Sequence, residues 1–91
     1  MEKSLQRLEI VSPKGKEFDG KVLSVSVPTT DGRITVLPNH MQLVTLISNG
    51  DLIYKTDDNK EEVLKVIDGV LEIRKGKVVA IIHNFDDLNK K

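Results

Sequence analysis

Lys21-Val22-Leu23-Ser24-Val25-Ser26-Val27, followed by Pro28-Thr29-Thr30-Asp31-Gly32, is the stretch on which the fold turns. Leu23, Val25 and Val27 alternate with Ser24 and Ser26, so three aliphatic side chains point one way and two hydroxyls the other. A period of two belongs to a strand with one wet face, and the Pro-Thr-Thr-Asp-Gly run that follows is turn chemistry. The same rhythm extends outward in both directions. Leu8 and Ile10 alternate with Arg7, Glu9 and Val11 and stop at Ser12-Pro13-Lys14-Gly15. Residues 34–37 form a β-branched run ended by Pro38-Asn39, and residues 43–47 one closed by Asn49-Gly50. Asn-Gly between two apolar runs is a strong hairpin signal, so residues 43–47 are expected to pair with residues 52–56. Asp57-Asp58-Asn59-Lys60 makes the next turn. Runs at 63–67, 70–73 and 78–82 complete the set, with Asp68-Gly69 and Lys75-Gly76 read as turns between them. Short apolar runs with turn signals every ~8–12 residues predict an all-β domain of two layers and about nine or ten strands.

The 91 residues contain no cysteine, and 14 basic residues balance 14 acidic ones. That excludes disulfides and thiolate chemistry. It also removes the basic surplus of a nucleic-acid binder, and Phe18, Tyr54 and Phe85 are too few to build stacking platforms. The polar start and the absence of a long apolar run predict neither a signal peptide nor a membrane span. One domain is expected over residues 1–84, with a short polar tail over residues 85–91.

No chemistry converges. His40 and His83 have no partner at metal-ligand spacing, and no serine occupies a nucleophile elbow. Asp57-Asp58 and Asp86-Asp87 read as solvated pairs in a turn and in the tail. The six glycines are scattered one per turn, without a phosphate-binding pattern. No catalytic residue, metal ligand or cofactor is expected.

The unusual segment is residues 28–46, P-T-T-D-G-R-I-T-V-L-P-N-H-M-Q-L-V-T-L. Pro38 fixes φ and cannot donate to a ladder, while Asn39 tolerates the left-handed region. Together they predict a tight corner that presents His40 and Met41. A plainer alternative has His40 hydrogen-bonding its own corner.

Leu8-Glu9-Ile10-Val11-Ser12-Pro13-Lys14-Gly15 and Phe18-Asp19-Gly20-Lys21-Val22 resemble the opening L-x-I-V-(T/S)-P-x-G-x-x-F-x-G-x-V of ATP synthase epsilon subunits. Val27-Pro28 through Gly32, then Val36-Leu37-Pro38-Asn39-His40, are similar to that family's V-x-x-P-G-x-x-G-x-x-G-V-L-P-G-H block. Asp68-Gly69-Val70-Leu71-Glu72-Ile73 and Val78-Val79-Ala80-Ile81 resemble its last strands. The motifs run in order from residue 8 to residue 82.

The resemblance implies a flattened sandwich or barrel of about ten strands at the foot of the central stalk of a rotary F-type ATP synthase. It implies docking on the gamma subunit and the c-ring, at the cytoplasmic face of the energy-transducing plasma membrane, with membrane contact only through the complex. Carried over by position, Gly32, Arg33, Pro38, Asn39, His40 and Met41 belong to ring-side loops, and Ser12 lies near gamma. The chain departs from the family at Arg33, a cation where an acid is usual; either the ring loop differs here or Arg33 points elsewhere. After the last strand only residues 84–91 follow, too few for the family's helical hairpin; if the chain ends naturally there, neither the hairpin's inhibition of hydrolysis nor its ATP site is expected, and if it is a piece of a longer protein both stay open. The alternative is a stand-alone sandwich that binds a protein or a small ligand, because fold does not dictate function.

Overall fold

The computed structural model describes residues 4–38 and 42–84, and every regular element in them is a strand. In chain order these are β1 (Gln6–Ser12), β2 (Gly15–Thr29), β3 (Gly32–Val36), β4 (Leu43–Ile47), β5 (Gly50–Thr56), β6 (Glu61–Arg74) and β7 (Lys77–Asn84). The all-β expectation holds. The strand count is also roughly as expected: β2 and β6 each run on through an irregularity, so seven continuous strands among the described residues stand where nine or ten short ones are expected.

Those two long strands build the two layers. The first half of β2 pairs with β1, and its second half pairs with β5 and β3, with a register shift between Val22 and Ser24. Likewise the first half of β6 pairs with β5 and the second half with β7 and β4, with a shift between Val66 and Asp68. A bulge bends a strand and increases its twist, which lets each chain leave one layer and enter the other. β1 pairs with β2 antiparallel and with β7 parallel, so the path β1–β7–β6–β5–β2 closes on itself. β3 and β4 are appended to β2 and β6. Between the layers lies one aliphatic core, whose largest fully buried members are Leu8, Ile10, Leu52, Leu71 and Ile82. Phe18 and Tyr54, ring centroids 4.5 Å apart, pack against it from the side.

Three local expectations change. Leu23 does not share the inward side with Val25 and Val27; Val22 does, and Leu23 is only half-buried, because the shift at this point moves the alternation by one residue. Asn49-Gly50 does not fold β4 back on β5. β4 pairs with β6, Leu46 opposite Val70, and only Gly50 takes positive φ (152°). Buried Ile47 and Leu52 flank this corner, and the Ser48 N–H donates to the Pro28 carbonyl at 2.9 Å, so the chain crosses between layers there. Asp68-Gly69 is not a turn but the inside of β6. Gly69 is needed for closeness: an added Cβ would lie 2.4 Å from the Ile81 carbonyl oxygen. The expected tail, residues 85–91, falls outside the described residues.

Candidate docking surface

The outward face of the layer β4–β6–β7–β1 holds the surface that the chain leaves unused. Leu46 pairs with Val70, Val70 with Ile81, and Ile81 with Val11. These four aliphatic side chains stand in one row across four strands, about 14 Å long at about 4.8 Å per strand. Leu46 is 64% exposed and Ile81 54%. The neighbouring row alternates apolar and acidic residues: Val44 (65% exposed) on β4, Glu72 on β6, Val79 on β7 and Glu9 on β1. Leu46, Ile47, Gly69, Val70 and Ile81 line an open groove of about 400 Å³, whose rim carries Asp68 and His83, paired at 2.8 Å between Oδ1 and Nδ1. Covering a half-exposed Leu or Ile is worth on the order of 1 kcal/mol, so the row offers a partner several kcal/mol. Contiguous exposed aliphatic surface of this kind marks an interaction site.

Toward β2 the same layer changes character. Glu9 and Asp19 stand directly opposite each other on β1 and β2, a like-charged pair that would repel if left alone. Three cations offset it. Lys16 Nζ lies 2.9 Å from Glu9 and 3.0 Å from Asp19, Arg7 lies 2.9 Å from Asp19, and Lys77 lies 3.3 Å from Glu9. Hydrogen bonds from Arg7 and then Lys16 hold the Asp19 carboxyl below its usual range. Bonds from Lys16 and then Lys77 do the same for Glu9.

Of the residues singled out in the sequence, Ser12 is 6% exposed at the end of β1, next to Val11 of the aliphatic row. Its hydroxyl donates to Glu17 at 2.6 Å and accepts the Lys14 N–H at 3.2 Å. Gly32 (φ 113°) and Arg33 open β3 at the β2–β3 hairpin, whereas Pro38 follows its far end. β3 puts about 13 Å between its own ends, so Gly32 and Arg33 do not cluster with Pro38. Asn39, His40 and Met41 lie outside the described residues. Ser26, read as a wet-face residue, accepts a bond from Arg33. Among the described residues no group of three or more His, Asp or Glu could hold a metal ion. The aliphatic row itself was missed. Its signal was present: residues 43–47 and 78–82 are nearly continuous apolar runs, so their outward positions could not all be polar.

Fold and surface together define a β-sandwich whose distinctive feature is an outward aliphatic row. The family model described as "ATP synthase, Delta/Epsilon chain, beta-sandwich domain" matches residues 5–85. ATP synthase epsilon chains are 36% identical over 86 residues in Sulfurihydrogenibium sp. (94% of this chain, 64% of the relative) and 39% identical over 84 residues in Aquifex aeolicus (92% and 62%). The chain therefore belongs to the ATP synthase epsilon family, as its ordered motifs imply, and it spans just under two thirds of the length of these curated relatives. A chain in the cryo-EM structure of the Euglena gracilis mitochondrial ATP synthase OSCP/F1/c-ring shares the fold, with TM-score 0.83 at 17% identity over 87% of this chain and 51% of that one. So does one in the Tetrahymena thermophila mitochondrial ATP synthase central stalk and c-ring, with TM-score 0.72 at 11% identity over 92% and 67%.

Proposed function

We propose that this chain is a non-catalytic part of the central stalk of a rotary F-type ATP synthase. It docks on the gamma subunit and the c-ring, and so couples ion translocation to ATP synthesis. Gamma covers the β4–β6–β7–β1 face, with Ser12 at its margin, and the ring lies toward Gly32 and Arg33 of the β2–β3 hairpin. Pro38, after the far end of β3, gives a second contact, and Asn39, His40 and Met41, which lie outside the described residues, are assigned to it by sequence position alone. The protein is then peripheral, on the cytoplasmic face of the energy-transducing membrane, and holds no cofactor of its own.

The observation that carries this reading is the row Leu46–Val70–Ile81–Val11, which no other element among the described residues covers. The test is affinity purification of the tagged chain from native membranes in mild detergent. Recovery of gamma together with ring-containing complex is expected; recovery of neither overturns the proposal. The groove favours one alternative, a free-standing ligand-binding module, and a small molecule retained by the purified monomer would decide for it.

A further inference from the structure

Among the described residues β4 pairs with β6 alone, so the backbone groups along its other side have no ladder partner. Such an edge recruits another strand unless something blocks it, most often a charge or a proline. The longer open edges elsewhere among the described residues are blocked in this way. β3 carries Arg33, the first half of β2 carries Lys16, Glu17, Asp19 and Lys21, and the first half of β6 carries Glu61, Glu62 and Lys65. Leu43-Val44-Thr45-Leu46-Ile47 has no charge, no proline and no register shift against β6. It is the unguarded edge.

The five residues are also close to a palindrome about Thr45. Laid antiparallel on its own copy across a two-fold axis there, β4 sets Leu43 opposite the partner's Ile47, Val44 opposite the partner's Leu46, and Thr45 opposite the partner's Thr45. Aliphatic residues then meet aliphatic ones and hydroxyl meets hydroxyl, and both kinds of cross-strand pair are stabilising. The faces agree as well. Thr45 pairs with buried Leu71, which puts Leu43, Thr45 and Ile47 on the core side and Val44 and Leu46 on the outer side. Outer residues therefore meet outer ones. Val44 and Leu46, 65% and 64% exposed, cover each other twice, once on each side of the axis. A foreign strand would have to match this pattern, whereas a second copy supplies it by symmetry. With 14 basic and 14 acidic residues in each chain, two copies also meet without net repulsion.

We infer that two copies of the free chain pair edge to edge through β4, joining four strands from each into one continuous layer. The contact is small beside a standard interface of ~1,600 Å², so the dimer is weak and reversible, with a dissociation constant on the order of 100 µM. Sedimentation of the isolated chain from about 10 µM to about 1 mM should show monomer giving way to dimer. Monomer throughout overturns the inference. The register is read by disulfide trapping, which is clean because the chain has no cysteine of its own. In an oxidised mixture of Val44→Cys and Leu46→Cys chains, the mixed disulfide should exceed the two like pairs several-fold, because directly opposed Cβ atoms are ~5 Å apart and diagonal ones farther. A statistical mixture overturns the two-fold at Thr45. Val44→Lys should weaken association about tenfold or more, since a lysine guards an edge, without lowering the melting temperature. Val63→Lys, equally exposed but on another strand, should leave association unchanged. Equal effects from the two lysines overturn the edge pairing. The inference stands apart from the stalk assignment: Ile81→Asp, two strands from the β4 edge, should leave self-association intact. Its loss there would move the contact to the aliphatic row and overturn the pairing through β4.

Discussion

The β4 side and the β1–β2 side of this molecule present two surfaces of opposite character, although β1 and β7 contribute to both. On the first, Leu46, Val70, Ile81 and Val11 form an aliphatic row in which folding leaves Leu46 and Ile81 exposed and Val70 and Val11 half-buried. On the second, Glu9 and Asp19 would repel, but Arg7, Lys16 and Lys77 offset them within the chain. Exposed ion pairs contribute little and weaken with salt, whereas desolvating them against a partner without compensation is costly. The aliphatic side gains from being covered and the ionic side does not. One layer thereby has one end that would gain from being covered and one that would not.

The largest expected effect comes from breaking the aliphatic side. Ile81→Asp places a charge at the centre of the row and should weaken recovery of the complex by about 2 kcal/mol or more, roughly thirtyfold. The melting temperature of the isolated chain should change little, since Ile81 is already 54% exposed. A variant that assembles normally would remove this face from consideration. Next in size is Gly69→Ala, whose methyl group would press on the Ile81 carbonyl. Denaturant unfolding should register a loss of about 1–3 kcal/mol, and the docking face should lose its geometry with it.

The ionic side gives a smaller, pH-dependent effect. Because the folded-state carboxyls of Glu9 and Asp19 lie below their ordinary values, their contribution is present above the unfolded carboxylate range and is lost as pH falls through the folded values. Thermal melts from neutral pH downward should therefore show a drop that begins near the ordinary carboxylate range. Glu9→Gln should flatten that drop, and added salt should shrink it; a profile unchanged by the substitution would mean the cluster contributes nothing. The smallest effect is assigned to Val63→Ser. Val63 is 56% exposed but lies on the first half of β6, away from the row. Neither assembly nor stability should move by more than about 0.5 kcal/mol, so a large effect would show that exposure alone, not the row, was being measured.

Much of the fold was legible because short-range rules governed it. Leu8 and Ile10 on β1, and the turns at 57–60 and 75–76, follow alternation and turn chemistry directly. The errors cluster where a strand changes layer. At Leu23 and at Asp68-Gly69 a bulge shifts the phase without ending the strand, and a one-residue shift reverses every side chain beyond it. At Asn49-Gly50 the local turn preference is outweighed by burial of Ile47 and Leu52, a long-range demand that no dipeptide announces. The docking face was harder to read for a related reason. Outward and inward aliphatics look alike in an apolar run such as 78–82, and only the register with β6 and β1 tells Ile81 from Ile82. Family resemblance supplied candidate positions at the loops, and the geometry separates Gly32 and Arg33 from Pro38 by the length of β3.

The parallel pairing of β1 with β7 also governs the order of assembly. Arg7 lies beside Lys77, so the first strand made must wait for the last before the ring of strands can close. Until then β1 has only β2 beside it, and its other edge is open to any passing strand. Closure of so long a loop is entropically slow, and topologies dominated by distant pairings fold in milliseconds to seconds. During synthesis the ring of strands can close only once β7 has emerged. During that interval its greatest hazard is the wrong neighbour, not the unfolded state.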